Sequence, residues 1–409
     1  MNEAWIIDAA RTPRAIGKVG KGALADIHPQ HVLSTVLKFL AERNDLNTAD
    51  IDDVIVGCSA QIGTQSSDIA RMAALDAGFS INASGITVDR FCGSGISATN
   101  IGAASIMAGM EDLVVTGGVE MMSMCVPKVM AQPTDVWNLR LREQYPMTNV
   151  GIMADLIANE EGFSREALDR FGAESQRRAH VAITQGRFDR SLVPVYRQDG
   201  SLALDQEEYP RPSTTYETLA QMEPTFGMVM DLPFFDSGVT FRQLIEQHWP
   251  GVKIDHRHHA GTSSGVVDGA GALILASPQY AKANNLKPRA RIRAMANMGH
   301  KPEYILNAPV DAARKVLSKA GMSTRDIDLF EINEAFAVVA LKYMRDLNLD
   351  PSRVNINGGA IAMGHPVGAT GAMLIGTALD ELERQDKSLA LITMCAAGGM
   401  APAIIIERL

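Results

Sequence analysis

At 409 residues the chain is long for a single hydrophobic core, so two or more domains are expected. Apolar residues make up 46 % and charged ones 21 %, a globular balance, and no run of eighteen apolar residues is present to span a bilayer, so the chain reads as soluble. The formal net charge of −9 disfavours a nucleic-acid surface but allows an anionic small ligand, which needs only a local basic patch.

The start, Met1-Asn2-Glu3-Ala4, lacks the basic and apolar regions of a secretory signal, and Glu3 and Asp8 argue against a transit peptide. Four cysteines, Cys58, Cys92, Cys125 and Cys395, form no close metal-type pair and no disulfide framework, so a reducing cytoplasm is the expected home. Val32 to Glu42 predicts a first helix. Cys58 closes an apolar strand. Arg90-Phe91-Cys92 then opens Cys92-Gly93-Ser94-Gly95 and an uncharged, helix-like stretch, Ile96 to Gly109. A strand begins at Leu113 and runs into Met121, Met122 and Met124, which read as core or as the lining of an apolar channel.

From Met124 to His259 the texture changes. Ser164 to Asp169, with a capping-box start, and Ser175 to Ala182 read as charged amphipathic helices. Pro194, Pro210, Pro212, Pro224, Pro233 and Pro250 then punctuate a long irregular region. His256, His258 and His259 lack matching carboxylate or cysteine spacing, so a solvated loop is expected there and no metal site. Further on come a helix from Val310 to Ala320, strands at Leu329–Ile332 and Leu391–Met394, and a second uncharged helix, Gly371 to Leu379.

An internal repeat is visible in the letters. Thr48-Ala49-Asp50-Ile51-Asp52 matches Thr324-Arg325-Asp326-Ile327-Asp328 at a spacing of 276 residues, and the same spacing relates Gly95 to Gly371 and Leu113 to Leu389. Two copies of one α/β unit are implied. Alternating helices and strands predict mainly parallel sheets with crossover helices, and the two uncharged helices suit burial between two sheets.

Three short runs carry the chemistry beside Cys92: Asn333-Glu334-Ala335-Phe336-Ala337, Gly358 to Pro366, and Cys395-Ala396-Ala397-Gly398-Gly399. Each begins where an apolar strand ends, the place where α/β folds build sites. A helix N-terminus lowers a thiol pKa through its unpaired N–H groups, so Cys92 reads as a nucleophile; taken alone it is equally compatible with a small core residue. His365, held between Gly364 and Pro366, is the candidate base.

Together with Asp8 to Pro13, Gly117 to Ser123 and Gly368 to Gly371, these segments resemble the thiolase family over essentially the whole chain. The resemblance implies a five-layer αβαβα stack of two repeated mixed-sheet α/β domains with an inserted loop domain. Residues 1–123 plus 260–277 would form the N-terminal domain, 124–259 the loop domain that holds coenzyme A, and 278–409 the C-terminal domain. Cys92, activated by His365, would carry the acyl group. Cys395 would be the second acid/base, at the α-carbon of acetyl-CoA. Asn333 would hold a water that forms one oxyanion hole with His365, and the backbone N–H groups of Cys92 and Ala397 would form the other. Arg211 and Ser264 are the implied coenzyme A contacts. Coenzyme A and acetyl-CoA enter as substrates, with no tightly bound cofactor and no metal.

The Asn-Glu-Ala-Phe run is similar to the asparagine type of the family, and Glu334 is expected to orient the turn. Several positions depart from its pattern: Thr262 stands where an asparagine is usual, Gln221 and Glu223 where lysines are usual, and Met228 to His259 resembles an insertion. The implied activity is thiolytic cleavage of 3-ketoacyl-CoA or the reverse Claisen condensation, with fatty-acid β-oxidation as the expected setting. A condensing enzyme with another acceptor and a catalytically silent acyl-CoA-binding subunit are the alternatives. A homodimer or homotetramer is implied, and a hetero-subunit partner stays open.

Overall fold

A computed structural model describes residues 2–129 and 132–409. The first half runs β1 (Trp5–Arg11), β2 (Ala15–Ile16), α1 (Pro29–Arg43), β3 (Asp53–Gly57), α2 (Ile69–Asp76), β4 (Ile86–Val88), α3 (Ser94–Ala108) and β5 (Leu113–Met121). A mostly helical excursion follows, with α4 (Met122–Val129), α5 (Leu139–Gln144), α6 (Val150–Glu160), α7 (Arg165–Thr184), a hairpin of β6 (Val195–Tyr196) and β7 (Leu202–Leu204), α8 (Tyr216–Ala220) and α9 (Phe241–His248). The chain returns through β8 (Val267–Ala276) and α10 (Pro278–Ala283) to β9 (Ala290–Gly299), α11 (Ala308–Ala320), β10 (Leu329–Ile332) and α12 (Ala337–Asp346). It ends with α13 (Ala360–Met363), α14 (Thr370–Arg384), β11 (Leu389–Thr393) and β12 (Met400–Arg408).

The main strands lie in the order β4-β3-β5-β8-β1-β9-β12-β11-β10. The two halves of this path meet only where Trp5 and Ile6 of β1 pair with Arg291 and Ala290 of β9. Pairings β3–β4, β3–β5 and β10–β11 are parallel, whereas β8, β1, β9 and β12 all pair antiparallel. The sheets are therefore mixed, which corrects the expectation of mainly parallel ones. Strands that arrive by a short turn, as β12 does after β11, need no crossover helix and pair antiparallel.

Period-2 alternation along the strands sorts side chains into separate cores. Val54 and Val56 of β3 join α1 and α2 in one apolar cluster, while Ile55 joins α3 and α14 in another. In the second half, Phe330, Leu391 and Ile405 pack with α11 and α12, whereas Leu329, Ile392 and Ile404 face the α3/α14 layer. Helix, sheet, helix, sheet, helix is the resulting order of layers.

The repeat is reproduced at the level of single bonds. Helices α3 and α14 both span 15 residues, 276 positions apart. The Asp52 carboxylate accepts from the N–H groups of Asp112 and Leu113, and Asp328 accepts in the same way from Ser388 and Leu389. At the centre the two helices cross with almost no space between them. A Cβ on Gly95 would lie 2.8 Å from the Ala372 nitrogen, and one on Gly371 would fall on the Ile96 nitrogen.

Burial of the central helices is less even than their composition suggests. Residues 370–379 of α14 are all buried, but α3 exposes Ile101, Ala104 and Ala108 along one face. In the excursion, the two expected amphipathic helices are one continuous α7. Its N-cap Ser164 accepts from Ala167 N–H, but with alanine at the third position the capping box is only half made. The segment expected to be an insertion is closed at its neck, where Thr225 N–H donates to the His258 carbonyl at 2.9 Å. Met230, Phe234, Phe241, Leu244 and Ile245 from it pack into the core of the second half.

The histidines at its end are not in a solvated loop. His258 and His259 are fully buried, and His256 and His258 both bond Asp155 while His259 bonds Asp169. Two buried carboxylates need partners, and this run supplies them. Among the described residues no cluster of metal-ligating side chains occurs. Among the described residues no helix is long and apolar enough to cross a membrane.

Replacing Gly371 by alanine forces a methyl group onto the α3 backbone. The Gly371→Ala variant is expected to lose about 3 kcal/mol, the upper end of ordinary overpacking, read as a lower denaturation midpoint. An unchanged midpoint would show that the helices can part.

Candidate active site

Three of the four sequence-predicted catalytic residues follow the C-terminal end of a strand from the parallel parts of the sheet, and the fourth, His365, follows α13. Cys92 follows β4, Asn333 follows β10 and Cys395 comes two residues after β11, the parallel neighbour of β10. The turn that presents Cys92 is tight. Phe91 adopts φ 49°, a left-handed conformation unusual for a bulky residue, and its N–H is held by the Asp89 carboxylate at 2.6 Å. Ser94 Oγ accepts from Arg90 N–H and donates to the Phe91 carbonyl, which locks the turn from inside.

His365 is held from both sides. Its N–H donates to the Gly265 carbonyl at 2.8 Å, and Nδ1 lies 2.6 Å from Thr370 Oγ1. Thr370 gives its one hydroxyl proton to the Pro366 carbonyl at 2.9 Å, so the oxygen accepts from Nδ1–H. That tautomer leaves Nε2 as the free base. Nε2 is buried and has no partner, and the same is true of Oδ1 and Nδ2 of Asn333. Three orphaned polar atoms in a buried site are costly unless a water or substrate oxygen reaches them. Ser264 and Gly265 connect the two segments, Ser264 N–H donating to the Ala335 carbonyl and Gly265 N–H to that of Ala360.

The backbone offers two more donors. Among the described residues, neither Cys92 N–H nor Ala397 N–H donates to a backbone or side-chain acceptor. Gly398 and Gly399 after Ala397 both have φ near +70° (74° and 70°), a turn that other residues strain to make.

Electrostatics correct one expectation. The Cys92 thiol is not lowered by its helix. Burial pushes it up to about 12, and the negative charges of Glu120 and Asp89 push the same way. Its place explains why: the helix N-cap is Gly93, so Cys92 sits outside the first turn, where dipole stabilisation is weakest. Cys395 is likewise raised by burial and then by the neighbouring Cys92. His365 is pushed down to about 3 by burial and by the Arg14 guanidinium, so it is a neutral imidazole at ordinary pH.

The expected coenzyme A residues lie on two segments that touch each other. Arg211 is exposed, with its guanidinium 5.9 Å from the centre of the Tyr209 ring. Tyr209 packs directly on Gly265, where a Cβ would fall on its ring, and Ser264 beside it is half-buried. Thr262 faces inward, bonded to His259, and Gln221 and Glu223 are exposed next to α8. Glu334 brackets the turn, accepting from Ser175, Asn355 and Ile361 N–H.

Two residues had no assigned part in the sequence reading. Thr370 fixes the histidine tautomer, as above. Glu120 is buried and accepts from the N–H groups of Ser59, Ala60 and Gly368 and from Gln65, binding the His365 loop to the first half. A glutamate inside the apolar strand Leu113–Met121 was the available signal, because such a carboxylate requires donors. Cys58 and Cys125 are buried.

With the thiol raised to about 12, only on the order of one Cys92 in ten thousand is ionised at pH 8. The rate of Cys92 alkylation by iodoacetamide is therefore expected to climb about tenfold per pH unit from 7 to 10. A plateau below pH 8 would mean a preformed thiolate.

Comparison with known proteins agrees with this arrangement. The family model for the thiolase N-terminal domain matches residues 4–229 and that for the thiolase C-terminal domain residues 286–408. A steroid 3-ketoacyl-CoA thiolase of Mycobacterium tuberculosis is 39 % identical over 100 % of this chain and 95 % of its own length. A β-ketoadipyl-CoA thiolase of Escherichia coli is 39 % identical and a 3-ketoacyl-CoA thiolase of Colwellia psychrerythraea 37 %, each over the full length of both chains. Among solved structures, human mitochondrial 3-ketoacyl-CoA thiolase in complex with CoA superposes with a TM-score of 0.86 at 29 % identity, covering 100 % of this chain and 98 % of that one. The acetyl-CoA acetyltransferase of Bacillus anthracis gives 0.85 at 30 % identity, covering 100 % and 99 %. Full-length matches of this kind, on a chain whose two halves repeat the same α/β unit around a cysteine turn, place it in the thiolase family of acyltransferases.

Proposed function

We propose that Cys92, His365, Asn333 and Cys395 carry the thiolase reaction of this chain. In the cleavage direction Cys92 Sγ attacks the 3-keto carbon of a 3-ketoacyl-CoA as His365 Nε2 takes the thiol proton. The C2–C3 bond then breaks. Its electron pair leaves on C2 as the enolate of acetyl-CoA, and Cys395 protonates it. The thiol of coenzyme A next attacks the acyl-Cys92 thioester as Cys395, left as a thiolate, takes its proton, and the Cys92 sulfur leaves and recovers its proton from His365. One thioester oxygen is served by Asn333, through a water, with His365, and the other by Cys92 N–H and Ala397 N–H. The observation that carries this reading is the set of unpartnered, buried Nε2 of His365 and Oδ1 and Nδ2 of Asn333.

Arg211 and Ser264 are the proposed contacts to coenzyme A, supported by the Tyr209–Gly265 contact that brings both segments together. Residues 1–123 with 260–277, 124–259 and 278–409 are the proposed domains. The relatives carry names with linear, dicarboxylic and steroid acyl groups at 37–39 % identity, so overall likeness does not select an acyl group. The proposed setting is cytoplasmic β-oxidation, supported by four free cysteines. The proposed assembly is a homodimer or homotetramer, supported by exposed Ile81 and Ile86 beside the free edge of β4.

The test is coenzyme A-dependent cleavage of a 3-ketoacyl-CoA panel, from acetoacetyl-CoA to long and bulky acyl groups. Cys92→Ser is expected to abolish turnover, and Asn333→Ala to lower kcat by about 10²–10³, the usual loss for one oxyanion donor. Acyl-CoA binding with no cleavage of any substrate would favour a silent binding subunit instead. Light scattering is expected to give two or four chains per particle, and a monomer would refute the assembly.

A further inference from the structure

Away from the cysteines, a cavity of about 240 Å³ opens between α7 and the loop 351–357, lined by Arg177, Arg178, Val181, Arg187, Ser352 and Ile356. Three guanidinium groups converge there in a chain whose net charge is −9. Their counter-charge is incomplete. Arg177 and Arg178 share a single carboxylate, Glu174, at 2.7 Å each. Arg187 has no carboxylate partner among the described residues, only the amide oxygens of Gln185 and Asn357. Burial and the nearby Arg384 lower its pKa, with the Glu381 carboxylate opposing them. Asp350 caps the turn below the rim through Ser352 N–H. Arg177 Nη1 and the Ser352 hydroxyl donate to no one among the described residues.

We propose that this cavity is a second ligand site, which binds a phosphate-type dianion. Arginine forks match phosphate oxygens in pairs, a serine hydroxyl adds a neutral donor, and half-buried Val181 and Ile356 supply the apolar lining. The site is distinct from the proposed contacts at Arg211 and Ser264.

Its wall is the outer side of the catalytic loop. Arg178 Nη1 donates to the Val354 carbonyl at 2.5 Å and Arg187 Nη1 to Asn357 Oδ1 at 2.7 Å. Asn355, between them, donates from Nδ2 to the Ile332 carbonyl at 2.8 Å and to Glu334 Oε1 at 3.0 Å, one residue either side of Asn333. A dianion competes for the same guanidinium protons and so shifts the loop that positions Asn333. This coupling rests on the catalytic reading above, whereas binding does not.

Isothermal titration with inorganic phosphate, against chloride at equal ionic strength, tests the site directly. Saturable binding is expected in the wild-type protein, at least tenfold weaker in Arg187→Gln and in Arg177→Gln, whose side chain is largely exposed and leaves folding intact. Arg177→Gln, which bonds only Glu174, is expected to keep wild-type turnover in phosphate-free buffer, whereas Arg187→Gln, which removes the Asn357 contact, is expected to shift it at least twofold. Phosphate is expected to change wild-type kcat at least twofold with KM for coenzyme A unmoved, and to leave Arg187→Gln unaffected. Adenosine 3′,5′-bisphosphate in a parallel titration distinguishes a nucleotide phosphate, which would bind more tightly, from free phosphate. Absence of saturable binding, or equal affinity in all three proteins, would overturn the site. Binding with turnover unmoved would overturn the coupling, and neither result bears on Cys92.

Discussion

The contact between Gly95 and Gly371 is the constraint on which the site depends. These two residues are equivalent in the repeat, and each lies against the backbone of the other's helix. Only glycine allows α3 and α14 to approach so closely, and the approach brings the turn of Cys92, at the start of α3, beside the loop of His365, at the start of α14. Gly368, in that loop, is wedged between β3 and β5, where a Cβ would lie 2.6 Å from the Gly57 carbonyl and 2.7 Å from that of Val119. Glu120 then fixes its N–H. His365, contributed by the second half, is thus set firmly against the first half.

The repeat also explains how one fold makes a single site. Cys92 corresponds to Gly368 and His365 to Asp89, each pair 276 residues apart. At Gly368 there is no room for any side chain, so the second copy of the nucleophile position serves as a packing wedge. Asp89, at the second copy of the base position, holds the strained Phe91 N–H and so shapes the nucleophile turn. Pseudo-symmetry supplies two turns that each open a central helix, one after β4 and one after α13. Divergence gives one the thiol and the other the imidazole.

Much of this was legible in the letters because it depends on local pattern. Strand ends at Ile332 and Thr393, the Cys92 turn and the 276-residue spacing all follow from apolar runs, glycines and short identities. What was not legible depends on partners distant in sequence. Nothing around His256, His258 and His259 announces Asp155 and Asp169, about 90 to 100 residues earlier, so a buried histidine–carboxylate hydrogen-bond cluster looks like a solvated loop. The direction of the Cys92 pKa failed for a related reason. Helix position is local, but desolvation is set by everything packed around the thiol, and here desolvation is the larger effect.

That last result bears on how the proposed chemistry starts. A thiol raised to about 12 and an imidazole lowered to about 3 do not exchange a proton spontaneously, so the resting site is neutral on both sides. Charge separation becomes favourable only when an acyl oxygen arrives to accept from free donors, and the cost of the thiolate is then met by bond formation to carbon. Thr370 matters to this sequence because it fixes the proton on Nδ1 in advance and leaves Nε2 no alternative role. Arg14 acts in the same sense by discouraging a second proton on the ring. A neutral resting pair also keeps an acyl-carrying cysteine unreactive toward adventitious electrophiles between turnovers, since the reactive thiolate exists only while substrate occupies the donors.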